Sequence, residues 1–442
     1  SSARSAQRTV SWMSLIPRSG RLGSGDRATM RVLAVVMGSQ GDLLPFVHLG
    51  GALGARGHET VIAGFDEFAE TIAGRQIQGV EYVSLPGDCQ EMMKRLLGDS
   101  EGMLDAVRGV RQMLGDPAIF EALEGAMAGV DVVMHNQFGE VARLLGASRG
   151  VPSVRVQVYP TEPCRSYSLV DPRNLDGTRR AVLIHRLSNA MMTWAMGPVM
   201  KTWRRRLGLG RGVLRGSPQT IYQFSPGLNP PDPAWGPHVH VTGEWLSPDP
   251  APPLREDVED FLQRGEAPLL VSFGSVASDR LRDLWRWTRE VLVEQGLRAI
   301  IVDPDQGSGE SDGLLTVDRV PFTVVLPRCR AVLCHGSLGT TGAALRAGLP
   351  CLTVAFGGDQ QFHAQAVRRN GAGPAYIDAQ RGELTRRTLG AGVADLVSGG
   401  YDQAARTMPQ LLSADPGLDA AVELMVGLGG TPAASCKRED TR

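Results

Sequence analysis

The residues best suited to chemistry form a short run in the second half of the chain. His335 follows the apolar stretch Ala331–Cys334 and opens the run His-Gly-Ser-Leu-Gly-Thr-Thr. Glycines let backbone amides approach a ligand closely, and a helix start carries unpaired N–H groups and partial positive charge. The run therefore predicts a phosphate site, although a tight strand–helix turn capped by a histidine gives the same pattern. The residues of this predicted site are His335, Gly336, Ser337, Gly339, Thr340 and Thr341.

Two shorter groups follow other predicted strands of the same half. Asp359 and Gln360 come after the strand at 351–355 and combine a carboxylate with an amide, a pair suited to sugar hydroxyls. The Gly-Gly-Asp sequence is also a common turn. Ser275 ends the strand at 268–273 and adds a hydroxyl and an N–H group, or simply terminates that strand.

A candidate general base lies near the start of the chain. Asp42 ends the turn Gly38–Asp42, which follows the apolar strand at 30–37. A carboxylate with an ordinary pKa near 4 is a weak base, so catalysis by Asp42 needs a raised pKa or concerted proton transfer. Asp42 also fits the N-cap of the predicted helix 43–56, and both roles coexist only if one oxygen stays free. His135 and Asn136 follow the strand at 130–134 and either face the same cleft or belong to a satisfied turn.

The elements that position these residues alternate between strand and helix. Short apolar runs followed by segments of helical spacing predict two doubly wound α/β domains with parallel sheets. Nine prolines fall in 226–255, which we interpret as the inter-domain linker. The expected domains are 30–225 and 256–416, followed by a helix at 417–429, and we interpret 1–29 as a disordered leader and 430–442 as a disordered tail. Ligands are expected in the cleft, at the carboxyl ends of the strands.

Composition restricts the choice of partners and compartment. The chain has 442 residues with 46 basic and 47 acidic side chains, a net charge of −1 that argues against nucleic-acid binding. No run of 18 apolar residues occurs, so stable membrane insertion is not expected. Six scattered cysteines without a CxxC pair predict no metal site and a reducing, cytoplasmic compartment. Lys201 and the run 204–206 mark either an anionic partner or a solvated helix face.

Several separated blocks together resemble the signature of family 1 glycosyltransferases, above all the bacterial natural-product and sterol-type enzymes. The resemblance is strongest over 268–375 and resumes over 30–64, whereas 65–230 is less diagnostic. The blocks that carry it are Arg319-Val320-Pro321, Leu326-Pro327-Arg328-Cys329, the run from His335 to Thr341, the segment 344–350 and Asp359-Gln360.

The resemblance implies a GT-B fold, in which two Rossmann-like domains face each other across a cleft. As in related folds, the helix at 417–429 would cross back to the first domain. The first half would bind the acceptor, a hydrophobic small molecule such as an antibiotic aglycone, with His135 and Asn136 as candidate contacts. The second half would bind a nucleotide-diphosphate sugar, with dTDP or UDP as the nucleotide. The reaction would be direct, inverting displacement of hexosyltransferase type, without metal or cofactor. By motif, Val320 would contact the nucleobase, Ser275, His335, Gly339, Thr340 and Thr341 the diphosphate, and Asp359 and Gln360 the sugar.

The chain departs from the family pattern at two positions. Cys334-His335-Gly336-Ser337 stands where His-His-Gly-Gly is usual, so the second histidine is kept and Ser337 restricts the loop. Asp42 stands where many members carry the histidine that deprotonates the acceptor hydroxyl. The glycopeptide and sterol branches resemble this chain in having Asp there, and His135 is a possible assistant to it.

Three other functions explain the sequence less well. A nicotinamide-dependent oxidoreductase would use Asp66 for the ribose, but Gly38-x-x-Gly41 is not G-x-G-x-x-G, and the 335–341 run would have no role. An auxiliary protein that has lost turnover would not need Asp42, His335, Asp359 and Gln360 together. A sugar-nucleotide epimerase or phosphorylase on the same fold would account for less of 319–360. The oligomeric state, the sugar and the acceptor stay open.

Overall fold

Two α/β domains, each built on a mainly parallel sheet, make up the computed structural model, as the sequence predicts. The structure describes residues 29–89, 103–214, 217–247, 250–274 and 280–429. The predicted tail at 430–442 and all but the last residue of the segment 1–29 lie outside these ranges.

The first sheet has, within the described ranges, seven parallel strands in the order β3-β2-β1-β4-β5-β6-β7. Its strands are β1 (Arg31–Val35), β2 (Glu59–Phe65), β3 (Val80–Leu85), β4 (Val132–His135), β5 (Ser153–Gln157), β6 (Gln219–Tyr222) and β7 (Val239–Val241). The helices between them are α1 (Gln40–Gly54), α2 (Ala69–Ala73), α3 (Met103–Leu114), α4 (Pro117–Ala126), α5 (Ala142–Arg149), α6 (Pro172–Leu175) and α7 (Arg179–Arg206), with a 3₁₀ turn at Asp66–Phe68.

The order of the strands determines where a ligand can bind. β1 pairs with β2 on one side and β4 on the other, and Val35 lies beside His135 in the register. The chain adds β2 and β3 on one side of β1 and then β4 to β7 on the other side. Connections on the two sides therefore diverge between β1 and β4, which opens a crevice at the carboxyl ends of these parallel strands. Asp42 follows β1 and His135 ends β4, so both lie at this crevice.

The proline-rich segment 226–255 is not a linker throughout, because it contributes β7 to the first sheet. β7 pairs with β6 in parallel, so the first domain extends beyond residue 225. The prolines exclude a helix, but the three residues of β7 contain none, and an edge strand needs hydrogen bonds on one side only. The connection between the domains is therefore shorter than the sequence suggests.

The second sheet comprises, among the described residues, seven strands in the order β10-β11-β9-β8-β12-β13-β14, with β10 antiparallel. Its strands are β8 (Leu269–Ser272), β9 (Ala299–Val302), β10 (Gly309–Ser311), β11 (Leu314–Val317), β12 (Ala331–Cys334), β13 (Cys351–Ala355) and β14 (Ile377–Asp378). Its helices are α8 (Glu256–Gln263), α9 (Arg280–Glu294), α10 (Phe322–Val325), α11 (Leu338–Arg346), α12 (Gln360–Arg369), α13 (Arg386–Leu396), α14 (Asp402–Ala405), α15 (Met408–Leu412) and α16 (Gly417–Gly429), with a 3₁₀ turn at Leu326–Arg328. The order in which the chain adds strands changes side between β8 and β12, which marks a second crevice at the carboxyl ends of these parallel strands. His335 follows β12 directly.

The last helix, α16, packs into the first domain although it follows the second in the chain. Ala421, Val422 and Met425 are fully buried in the same apolar cluster as Leu49 and Leu53 of α1. Burial of this kind stabilises the protein roughly in proportion to the apolar area removed from water. The helix therefore ties the two domains together.

Polar contacts also join the domains beside the cleft. Arg173 donates to Glu383 at 2.8 Å, and Arg369 donates to Asp176 at 2.7 Å.

No helix in the described ranges has the length and apolar character needed to cross a bilayer.

Candidate active site

Asp42 lies in the first turn of α1, but it is not the N-cap that the sequence suggested. The helix begins at Gln40, Ser39 is the N-cap, and Asp42 is the third helical residue. One carboxylate oxygen, Oδ2, accepts the Ser39 backbone N–H at 2.8 Å and the Ser39 hydroxyl at 2.9 Å. No other described residue donates to Oδ1. One oxygen therefore anchors the helix start and the second is available to a substrate.

The surroundings of Asp42 make it a better base than an ordinary aspartate. Burial, together with the negative charge of Asp359, raises the pKa of Asp42 to about 6, against the opposing effect of the hydrogen bonds from Ser39. At neutral pH the carboxylate is still mainly ionised, and a base with a pKa near the working pH transfers protons efficiently. The raised pKa that the sequence argument required is therefore present.

A glycine makes room for this carboxylate. A Cβ atom at Gly38 would lie 2.5 Å from Asp42 Oδ2, far inside van der Waals contact. The side chain of Asp42 can fold back onto Ser39 only because residue 38 has no side chain. The Gly-Ser-Gln-Gly-Asp turn is thus built around the carboxylate.

His335 is buried at the carboxyl end of β12 and keeps one ring nitrogen unused. Its Nδ1 is buried without a hydrogen-bond partner among the described residues. Burial lowers the pKa of His335, while the charge of Asp359 and the carbonyl of Ser272 act in the opposite direction. Gly274, with φ +59°, lies so close that a Cβ atom there would sit 2.6 Å from the imidazole Cε1. Ser275, the next predicted contact, lies outside the described residues.

The start of α11 presents uncapped backbone N–H groups beside His335. Ser337 is the N-cap, with extended backbone angles, and its side chain does not cap the helix. Its hydroxyl instead donates to Thr340 Oγ1 at 3.2 Å. Gly336 has φ +92°, and a Cβ atom there would lie 2.5 Å from Thr353, whereas a Cβ atom at Gly339 would meet open space. Free N–H groups, partial positive charge and open space together favour an anion.

The hydroxyls of the two threonines of this helix contact other side chains of the protein. Thr341 is buried and its Oγ1 lies 3.9 Å from the sulfur of Cys334, so its side chain points at β12. Thr340 is also buried, and its hydroxyl accepts from Ser337. At both positions the backbone, rather than a free hydroxyl, is what the helix start offers.

Asp359 and Gln360 lie at the start of α12, on the second domain's side of the cleft. Asp359 Oδ2 is 3.4 Å from His363 Nε2, and the carboxylate is partly exposed. Gln360 accepts the Phe356 N–H at 2.7 Å through Oε1, which leaves its amide N–H groups for a ligand. The charge of Asp359 acts on both Asp42 and His335, so the three predicted residues come together from different elements.

Val320 lies in the connection between β11 and α10 and packs, partly buried, against the core of the second domain. Its backbone is not part of a strand or helix. This leaves its N–H and carbonyl groups in a loop, as a nucleobase contact would need.

His135 and Asn136 hold the first domain together instead of pointing into the cleft. The ring of His135 is buried, with Nδ1 2.9 Å from the Asn136 carbonyl oxygen and Nε2 3.8 Å from Glu140. Burial lowers the pKa of His135 to about 4, so the ring is neutral. Asn136 donates to the Met37 carbonyl at 2.7 Å and accepts from Met37 and Gly139. These bonds connect the ends of β1 and β4.

Tyr159 is a cleft residue that the sequence argument missed. Its hydroxyl donates to Gln137 Oε1, and burial, together with the charges of Asp359 and Asp42, raises its pKa. The phenol therefore stays protonated beside both carboxylates. It follows β5, so the rule that ligands bind at carboxyl ends of parallel strands could have identified it.

Within the described ranges, no three His, Cys, Asp or Glu side chains are arranged to hold a metal ion.

The family comparison and one relative point to the same class of enzyme. Residues 300–426 match the family of the erythromycin biosynthesis protein CIII-like C-terminal domain. O-mycaminosyltylonolide 6-deoxyallosyltransferase of Streptomyces fradiae is 29% identical over 423 residues, which cover 90% of this chain and 97% of that protein.

Further comparisons extend the relation to sterol enzymes and to solved structures. A sterol 3-beta-glucosyltransferase of Debaryomyces hansenii is 26% identical over 374 residues, but the chain spans only 23% of that protein's length. The glycosyltransferase of kitacinnamycin superposes with a TM-score of 0.65 at 18% identity, over 91% of this chain and 100% of the other. A Streptomyces sp. SF2575 glycosyltransferase complexed with thymidine diphosphate gives 0.62 at 20%, over 90% and 99%. The chain therefore has the GT-B fold of these structures and is similar in sequence to antibiotic and sterol glycosyltransferases.

Proposed function

We propose that the protein is an inverting glycosyltransferase that moves a sugar from a nucleoside diphosphate to a hydroxyl of an apolar natural-product aglycone. One observation carries the proposal: Asp359 of the second domain lies near enough for its charge to act both on Asp42 of the first domain and on His335 of the second. A base and an anion site thus face each other across the cleft.

The second domain supplies the donor site in this proposal. The N-terminus of α11 and the unused Nδ1 of His335 would bind the diphosphate, while Asp359 and the free amide of Gln360 would bind sugar hydroxyls. The neighbour that contains thymidine diphosphate supports a TDP-sugar, with UDP-sugars as the alternative. Partial positive charge at the helix start compensates the charge that develops on the leaving diphosphate, so the step needs no metal ion or cofactor.

The first domain supplies the base. Asp42 Oδ1 would take the proton of the acceptor hydroxyl as its oxygen attacks the anomeric carbon. A C–O bond to the acceptor forms, and the bond from that carbon to the diphosphate oxygen breaks. Because base and diphosphate site come from opposite sides of the cleft, attack occurs from the face opposite the leaving group, and the configuration inverts. The relative named for transfer to O-mycaminosyltylonolide supports an acceptor of that natural-product class.

A transfer assay with defined stereochemistry tests the proposal. The purified chain is incubated with TDP- or UDP-hexoses and a panel of macrolide and polyphenol aglycones, and products are found by mass spectrometry. We expect one added hexose, with the anomeric configuration opposite to that of the donor in the NMR coupling constant. Asp42→Asn should form this product at least about 100-fold more slowly in the same assay. A product of retained configuration would contradict the proposed displacement.

A further inference from the structure

Helix α7 carries an exposed apolar face that the proposed function does not use. Leu183, Leu187, Met191 and Trp194 are 57%, 60%, 46% and 69% exposed. Their spacing of four, four and three residues places them on one side of the helix. We call these four residues the outward stripe. Single exposed apolar residues are ordinary, but four of them in a continuous row mark an interaction surface.

The opposite side of the same helix is fixed in the first domain. Ala181, Ala195 and Trp203 are buried, and Trp203 donates to the Leu114 carbonyl at 2.7 Å. Asn189 donates to the Thr161 carbonyl at 3.0 Å. Since these contacts set the rotation of the helix about its axis, the outward stripe cannot turn inward without breaking them.

The charge of α7 is of one sign only. Its 28 residues include six arginines and one lysine but no Asp or Glu. None of the seven cations forms an ion pair with an acidic side chain in the described part of the chain, whereas Arg155, Arg173 and Arg369 of the same protein are paired. The seven are Arg179, Arg180, Arg186, Lys201, Arg204, Arg205 and Arg206.

Cations extend the outward stripe at both ends. Arg180 lies three residues before Leu183, and Lys201 and Arg205 lie seven and eleven residues after Trp194. Helical spacing puts all three on the side of the stripe, and all three are exposed. The surface is therefore an apolar centre between two cationic ends.

We propose that this face of α7 docks on the surface of an anionic lipid bilayer. Leucine, methionine and tryptophan beside arginine and lysine are the composition of helices that lie in a membrane interface without spanning it. Anionic headgroups would neutralise the unpaired cations, and tryptophan favours the boundary between water and acyl chains. A protein partner fits less well, because the stripe is a convex ridge whose side chains offer no carboxylate and no groove.

Flotation of the full chain with lipid vesicles tests this proposal. We expect binding to vesicles of phosphatidylcholine with one quarter phosphatidylglycerol to exceed binding to pure phosphatidylcholine at least tenfold, and to fall at 0.5 M NaCl because salt screens the charges. Leu187→Glu and Trp194→Glu should each weaken binding at least tenfold. Val293→Glu makes the same change at a 46% exposed residue of α9 and should leave binding unchanged.

Tryptophan fluorescence gives a second measurement that does not rely on charged variants. Acidic vesicles should shift the emission of the wild type to shorter wavelength, and Trp194→Phe should abolish that shift. Circular dichroism confirms that each variant is folded. Failure of the wild type to bind acidic vesicles would overturn the proposal and favour a protein partner. The proposal would also be overturned if Leu187→Glu and Trp194→Glu bound acidic vesicles as tightly as the wild type does, or if the wild type bound neutral and acidic vesicles equally.

Discussion

At the scale of single residues, the central feature is that the two oxygens of the Asp42 carboxylate have different roles. Oδ2 of Asp42 is used by Ser39 to hold the helix start, and Oδ1 is left for the acceptor hydroxyl. The sequence indicated that a capping role and a catalytic role coexist at this position only if one oxygen stays free. Both hydrogen bonds from Ser39 go to Oδ2, which is the arrangement that this condition requires.

Replacing Asp42 with Asn separates catalysis from folding. Asn keeps an oxygen that can accept from Ser39 but cannot take up a proton, so we expect the rate to fall about 10²- to 10⁴-fold. The melting temperature at pH 7.5 should stay the same or rise, since a buried charge is removed. Steady-state kinetics and calorimetry measure the two effects. Retained activity would rule out Asp42 as the base.

The pH profile should report the pKa of the same group. Since the ionised form of Asp42 is the base, we expect kcat/KM to rise with pH through about 6 and then level off. Ser39→Ala removes a hydroxyl that stabilises the charged form, so the midpoint should move to higher pH. The profile is measured from pH 5 to 8.5 for both proteins. A wild-type profile that is flat over this range would show that the pKa of the base lies below 5, as in ordinary solvent-exposed surroundings.

At the scale of elements, the start of α11 and the strand before it form the donor side. Sequence patterns located this strand and helix well, because a buried strand that ends in a glycine turn is distinctive. They did not show the direction of the Thr341 side chain, which turns towards Cys334. They also failed for β7, whose three residues are hidden among prolines. Tyr159 was missed because a tyrosine after a strand is ordinary until its neighbours are known.

Two glycines of this element should respond in opposite ways to alanine. Gly336→Ala places a Cβ atom 2.5 Å from Thr353 at φ +92°, so we expect a loss of about 2 kcal/mol of folding stability. Gly339→Ala meets open space inside a helix and should add about 0.5–1 kcal/mol. The added methyl group nevertheless occupies the proposed diphosphate site, so TDP binding should weaken. Denaturant titration and calorimetry test both changes, and unchanged TDP affinity in Gly339→Ala would move the site elsewhere.

At the scale of the whole molecule, α16 makes the first domain depend on the far end of the chain. Met425 is fully buried against the core around β1 and α1. The sequence indicated a crossing helix only by family resemblance, since helical spacing alone does not show which domain a helix joins. Which faces of α1 and α16 meet is decided by packing between distant segments.

Truncating Met425 should destabilise the first domain. We expect Met425→Ala to lower the free energy of unfolding by about 2–4 kcal/mol, because removal of the methionine side chain leaves a cavity in a well-packed core. Glu423→Ala is the control on the same helix, since its exposed ion pair with Arg56 contributes little. Thermal unfolding followed by circular dichroism measures both. Equal stability of the two variants would show that α16 is only loosely attached.

The most direct test of the central claim is calorimetric titration of TDP and UDP into the wild type, Asp42→Asn and His335→Ala. We expect the wild-type protein to bind at least one of the two nucleotides with a micromolar dissociation constant. Asp42→Asn should keep this binding, because the base lies on the acceptor side. His335→Ala should weaken it at least tenfold, or about 1.4 kcal/mol. Absence of binding to both nucleotides, or equal binding by His335→Ala, would contradict the proposed donor site.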